Sequence, residues 1–286
     1  MKLVIVSGLS GSGKTVALHA LEDEGYYCVD NLPLGLLTAF VDELLERKLR
    51  LYDQAAVGID ARSGVEELER FPQIVEEIRS RGVDLDIIFL QAEVETLLKR
   101  FNETRRRHPL SRKGLPLIEA VHLERSLLTH ISNCADLIID TTRTNVHELN
   151  SMLRQRVGLR ETGNLSIQFQ SFGFKHGTPA DSDFVFDIRC LPNPHWEPRL
   201  RQHTGLDQPV MDFLEGHALV EKMFSMITRF LETWLPEFEA GNRRYLSVSI
   251  GCTGGQHRSV YMAERLAAHF RGGYGEQVNV RHRELN

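Results

Sequence analysis

Gly8-Leu9-Ser10-Gly11-Ser12-Gly13-Lys14-Thr15 follows the apolar run Leu3–Val6. It precedes Val16, Ala17, Ala20 and Leu21, which share one face at helical spacing ahead of Gly25. Every fixed position of GxxxxGK[ST] is met, and a chance match somewhere in a chain of this size is on the order of one in a hundred. Glycines at a strand-to-helix turn let backbone N–H groups close around phosphates at the helix N-terminus. Lys14 then neutralises charge on the β and γ groups, and the Thr15 hydroxyl ligates Mg²⁺. Gly8 to Thr15 is the expected cradle of a nucleoside triphosphate, with Lys14 and Thr15 carrying the chemistry.

Working outward, continuous apolar runs at Leu3–Val6, Tyr27–Val29, Ala55–Ile59, Asp86–Leu90 and Leu137–Ile139 read as buried parallel strands. Amphipathic stretches lie between them, such as Leu36, Leu37, Phe40, Val41, Leu44 and Leu45. This alternation predicts an α/β fold whose ligands sit beyond the strand C-termini: a kinase-like P-loop parallel sheet in a domain over 1–158. The periodicity lapses across Gly158–Asn164. A smaller α/β domain over 164–286 follows, with strands expected near Ile167–Phe174, Phe184–Ile188, Tyr245–Ile250 and Gln277–Arg281 and helices near Ala218–Leu235 and Ser259–Phe270.

The chain has 286 residues, enough for two cores, and a net charge of −5 at pH 7. Neither half carries the basic excess of a nonspecific nucleic-acid binder, so an RNA contact must be a local patch. The four cysteines form no CxxC pair, which argues against a zinc ribbon or a disulfide framework. No signal-peptide pattern and no long apolar span is present, so a cytoplasmic protein without membrane contact is expected.

Asp60 ends the run Ala55-Ala56-Val57-Gly58-Ile59 and falls at the same sheet edge as the phosphate loop, where it holds Mg²⁺ through water, with Ala61, Arg62 and Ser63 close to a nucleotide. Asp30, in Asp30-Asn31-Leu32-Pro33, occupies the equivalent place after the second strand; a base for an acceptor hydroxyl and a turn fit it equally. Arg100, Arg105, Arg106, Arg107 and His108 fall where a kinase-like fold carries an arginine-bearing lid.

A second anion site is expected at Cys252-Thr253-Gly254-Gly255-Gln256-His257-Arg258-Ser259, between an apolar strand and a helix. The C-x5-R-S spacing is that of loops that wrap N–H groups and one arginine around phosphate. Gly251 stands where the cysteine-dependent phosphatases have histidine, so binding outranks cleavage. The proline-rich Asp187–Trp196 stretch adds Arg189 and His195.

Together these segments resemble the bacterial RapZ family from end to end, on Gly8–Thr15, Asp30–Pro33, Gly58–Ser63, Arg105–Leu110, Asp187–Pro194 and Gly251–Ser259. The resemblance implies ATP and GTP binding with slow hydrolysis, ATP at Gly8–Thr15 and GTP at Asp60–Ser63. It also implies a C-terminal domain that binds RNA and senses glucosamine-6-phosphate through Cys252–Ser259 and His195. Members of the family present a small regulatory RNA to the endonuclease RNase E and form oligomers, as tetramers. Arg281 and Arg283 stand in for the RNA-binding tail. That tail departs from the lysine- and arginine-rich end of the RNA adapters, and each neutralised phosphate contributes separately to affinity. Two rival readings are a small-molecule kinase with Asp30 as base and a cysteine-dependent phosphatase using Cys252.

Overall fold

Alternation of buried apolar strands with amphipathic helices produces two parallel sheets, each flanked by helices. The computed structural model describes residues 1–46, 53–111, 115–158, 165–241 and 243–285. Residues 159–164, most of the expected domain junction, lie outside the described residues. The chain divides into two compact units, Met1–Gly158 and Leu159–Asn286.

The first unit runs β1 (Lys2–Gly8), α1 (Lys14–Asp23), β2 (Tyr27–Val29), α2 (Leu37–Glu46), β3 (Gln54–Gly58), α3 (Val65–Glu69) and α4 (Phe71–Ser80). It continues with β4 (Asp84–Gln91), α5 (Val94–Thr104), α6 (Leu117–Leu127), α7 (Thr129–Asn133), β5 (Leu137–Asp140) and α8 (Val146–Leu153). The sheet order is β2-β3-β1-β4-β5 with every pairing parallel. Central β1 therefore delivers the phosphate loop to the C-terminal edge of the sheet, beside the ends of β2 and β3 that carry Asp30 and Asp60. Its core gathers Leu3, Ile5, Val57, Ile87 and Phe89 from the strands with Val41, Phe71 and Leu97 from helices.

The second unit runs β6 (Ser166–Gly173), β7 (Phe184–Asp187), α9 (Gln208–Glu215), α10 (Ala218–Ala240), β8 (Tyr245–Cys252), α11 (Arg258–Tyr274) and β9 (Val278–His282). Its parallel sheet has the order β7-β8-β6-β9. Ile167, Phe169, Leu246, Val248 and Ile250 form the core with Leu231, Met262 and Leu266. Alternate positions Gln168, Gln170, Ser247 and Ser249 are polar and point to the opposite face. Helix α10 continues past the expected Leu235 through Pro236. Helix α9, which starts at Gln208-Pro209 with proline in its first turn, was not expected.

Gly8 has φ +144°, and a Cβ added there would collide with the Leu90 carbonyl oxygen across the β1–β4 pairing. Gly8→Ala is expected to cost roughly 2–4 kcal/mol of stability through backbone strain and sheet separation. Thermal denaturation checks this; an unchanged Tm would mean that β1 and β4 can part without penalty.

Candidate functional site

The phosphate loop turns through Gly11 (φ +87°) and Gly13 (φ +108°), conformations that disfavour side chains. Its backbone N–H groups divide into two sets. Leu9 donates to Leu90 O (3.0 Å), Ser12 to Leu9 O (3.0 Å), and Ser10 to a carboxylate oxygen of Glu124 (2.7 Å). Among the described residues, the N–H groups of Gly11, Gly13, Lys14 and Thr15 have no acceptor. These groups, in the loop and at the start of α1, are donors left for an anion, and the helix dipole adds to their positive end.

They open on a cavity of about 720 Å³ whose wall includes Ser10 to Thr15. Lys14 folds back so that Nζ donates to Gly8 O (2.6 Å). Burial lowers its pKa from the ordinary lysine value, against Glu124, Asp60 and Asp30, which favour the charged form. Gly8 and the fully packed Leu9 lie beneath the loop rather than on the cavity wall.

Asp60 and Arg62 line the same cavity. Asp60 accepts from the Arg62 backbone N–H (2.9 Å) and from its Nε (2.8 Å), with Arg62 Nη2 2.6 Å away. Burial pushes the carboxyl upward, but these bonds and Lys14 outweigh it and hold Asp60 below the ordinary aspartate range. An ionised Asp60 and the Thr15 hydroxyl both line this cavity, and such oxygen ligands fit a Mg²⁺ ion that keeps most of its water and takes its remaining ligands from phosphate. Ala61 is buried in the core, and Ser63 Oγ accepts the Leu34 N–H (3.3 Å), so neither reaches the wall. Asp30 does reach it; its carboxylate lies against Gly58, where a Cβ would come within 2.7 Å of Oδ1.

The expected arginine lid separates into two parts. Arg100 lines the cavity and also braces the loop: Nη1 donates to Gly11 O (3.0 Å) and Thr141 Oγ1 (3.0 Å), and Nη2 donates to Thr141 O (2.6 Å). Thr141 Oγ1 in turn donates to Ser12 O (2.9 Å). Arg105, at φ +51°, turns the chain after α5, and Arg106 and Arg107 take places on the cavity wall.

Glu124, absent from the residues predicted for the site, is fully buried on α6 and grips Ser10 twice, at N (2.7 Å) and Oγ (2.6 Å). A carboxylate on the helix face shared by Ala120 and Val121 was the only signal for it in the sequence. Burial raises its pKa, but His108, Lys14 and Ser10 more than offset that and hold it below the ordinary value of 4.5. A carboxyl lowered by folding contributes stability that is complete above the unfolded value and is lost as pH falls through the folded one. Acidification below about pH 4.5 should therefore lower the Tm of the wild type more steeply than that of Glu124→Gln. Parallel pH–Tm curves for the two would contradict this.

In the second unit, β8 ends at Cys252 and α11 starts at Arg258, so the intervening loop forms the predicted strand-to-helix turn. Cys252 Sγ is buried; it accepts the Gly255 N–H (3.2 Å) and lies 3.2 Å from Ser259 Oγ. Thr253 and Gln256 are exposed, and Gly254 is partly so. Gly255 (φ +76°) has no room for a Cβ beside Glu284 and Gly173. Arg258 is buried as a strut: Nη1 donates to Arg189 O and Leu191 O (both 2.9 Å), and Nη2 lies 3.4 Å from Thr253 Oγ1. The arginine thus ties the cradle to the proline-rich loop. That loop brings exposed His195 within 6.3 Å, ring to ring, of His257. Burial lowers the His257 pKa, with His195 and Arg258 acting in the same direction against the carbonyls of His203 and Leu200. Its Nε2 is buried without a partner among the described residues.

Arg281 and Arg283 belong to an ordered edge rather than a free arm. Arg281 Nη1 donates to Gln170 Oε1 (3.3 Å) from β9, and the Arg283 N–H donates to Ser171 O (3.1 Å). No described helix is long and apolar enough to cross a membrane.

Comparison with known proteins covers both units. Residues 1–161 match the family described as the RapZ-like N-terminal domain, and residues 165–286 match the RapZ C-terminal domain. A nucleotide-binding protein of Thioalkalivibrio sulfidiphilus is 63% identical over 286 residues and one of Nitrosococcus oceani 55%, each alignment spanning all of both chains. Among solved structures, shikimate kinase from Bacteroides thetaiotaomicron (14% identity, TM-score 0.36) is covered over 98% of its chain by 55% of this one. A gluconokinase from Sinorhizobium meliloti (17% identity, TM-score 0.35) is covered over 87% by 52%. With both halves matched and full-length relatives at more than half identity, the chain belongs to the RapZ family.

Proposed function

We propose that this protein is a regulatory nucleotide-binding adapter. It binds ATP at the phosphate loop and GTP at the neighbouring Asp60–Ser63 segment, with Mg²⁺, and hydrolyses them slowly. It also senses glucosamine-6-phosphate at the Cys252–Ser259 loop and presents a small regulatory RNA to an RNase E-type endonuclease, acting as a homo-oligomer in the form of a tetramer.

The observation that carries the nucleotide reading is the set of unpaired N–H groups at Gly11, Gly13, Lys14 and Thr15, facing a cavity that Lys14, Asp60, Arg106 and Arg107 also line. The relatives' names as nucleotide-binding proteins support it. Slow turnover fits the pairing of Asp60 with Arg62, because the ion pair competes with Mg²⁺ for the carboxylate. The phosphosugar reading rests on the glycine-containing turn at Thr253–Gly255 with His195 and His257 beside it. RNA binding rests on Arg281 and Arg283 at the β9 edge.

Phosphoryl transfer to a small acceptor is a second reading, favoured by Asp30 sharing the cavity with Lys14 and Thr15. Acceptor-dependent ADP formation that disappears in Asp30→Asn would establish it over the adapter reading.

Calorimetric titration of the full chain separates the ligands. Mg·ATP and Mg·GTP should bind the wild type, and Lys14→Ala should weaken both by about tenfold or more through loss of a charge-assisted hydrogen bond. Glucosamine-6-phosphate should bind Lys14→Ala as it does the wild type and fail to bind His195→Ala. Undiminished triphosphate affinity in Lys14→Ala, or no heat with the phosphosugar, would overturn the corresponding half of the proposal.

A further inference from the structure

The buried pair His108–Glu124 has no part in the phosphate chemistry described above, yet it joins the two halves of the nucleotide cavity wall. Glu124 holds Ser10 through N and Oγ with both carboxylate oxygens, and its Oε2 also lies 3.1 Å from His108 Nε2. On the other side of the ring, the Leu110 N–H donates to Nδ1 (3.2 Å). Nδ1 therefore carries no proton, and the imidazole is the Nε2–H tautomer that donates to Glu124. The ring also packs on Phe101, centroids 5.2 Å apart. Arg106 and Arg107 immediately precede His108 and line the cavity, as does Pro109; His108 and Glu124 do not.

We propose that Glu124 and His108 are positioning residues of the nucleotide site, a latch by which one buried carboxylate fixes both the phosphate loop and the arginine-bearing segment after α5. The proposal rests on the nucleotide reading above and extends it. Glu124 turns the Ser10 N–H out of the cavity, which settles where the loop's remaining donors begin, at Gly11. His108 anchors the chain just beyond Arg106 and Arg107, so the arginines are held over the same cradle that Glu124 shapes. A buried carboxylate is an expensive way to fill space, since a packed apolar group is commonly as stable or more so. Its double grip on Ser10 and single grip on His108 give it a role that packing alone lacks.

The test is Mg·ATP affinity in the full chain for the wild type, His108→Ala, His108→Gln, Ser10→Ala and Arg106→Ala/Arg107→Ala, the last with and without His108→Ala. Thermal denaturation of each accompanies it. His108→Ala should weaken Mg·ATP by about tenfold, the size of a lost charge-assisted contact. His108→Gln, which keeps an N–H donor toward Glu124, should restore most of it. Added to the arginine variant, His108→Ala should weaken binding by less than about twofold, because a residue acting through those arginines has nothing left to position. If His108→Ala does not fold, Ser10→Ala carries the test with a severalfold loss. Folded variants with wild-type affinity, or additive losses from His108 and the arginines, would overturn the latch while leaving the nucleotide reading intact. A wild type that binds no Mg·ATP would overturn both.

Discussion

The first unit depends on how the backbone of one tight turn distributes its N–H groups. Leu9, Ser10 and Ser12 spend theirs on protein acceptors, which pins the turn to β4, to α6 and to itself. Gly11, Gly13, Lys14 and Thr15 are left with donors that have no acceptor among the described residues. Unpaired N–H groups at a helix N-terminus are tolerable only where water or an anion can reach them. The cavity supplies that access, and Lys14 adds charge to the same place. Around the turn, Arg100 and Thr141 hold the carbonyls of Gly11 and Ser12, so these oxygens are engaged by protein donors.

The second unit solves a similar problem with different parts. Its loop leaves a central parallel strand, turns at Gly255 and enters α11, and Cys252 Sγ takes the Gly255 N–H that would otherwise be unpaired. Arg258 does not reach outward as a phosphate-binding guanidinium; it is spent on the Arg189 and Leu191 carbonyls. The loop is therefore built as a braced shelf whose exposed residues are Thr253, Gln256 and, in part, Gly254, with histidines nearby. A shelf of this kind suits recognition of an anionic group better than its cleavage, since a buried sulfur held by Gly255 and Ser259 is poorly placed to attack.

Periodicity made the sheet strands legible because a strand buried on both faces must be apolar throughout, and the observed bounds of β1 to β5 lie within two residues of the expected runs. The phosphate loop was legible because its glycines are demanded by backbone conformation. What the sequence concealed depends on long-range pairing. Arg100 sits in the same basic run as Arg106 and Arg107, and only the position of α5 against Thr141 makes it a brace of the phosphate loop as well as part of the cavity wall. Glu124 lies 114 residues from its partner Ser10, so no local pattern could join them. Helix α9 escaped because it is short and bordered by turn-forming residues. Proline does not end α10, which continues past Pro236 to Ala240.

The amides of Gly11, Gly13, Lys14 and Thr15 are the proposed receptors for polyphosphate. Hydrogen–deuterium exchange of the phosphate-loop peptide, with and without a non-hydrolysable triphosphate and Mg²⁺, tests it directly. Strong ligand-dependent protection confined to that turn and the start of α1 is the predicted result. Exchange at those amides unchanged by saturating nucleotide, or protection appearing elsewhere in its place, would contradict it.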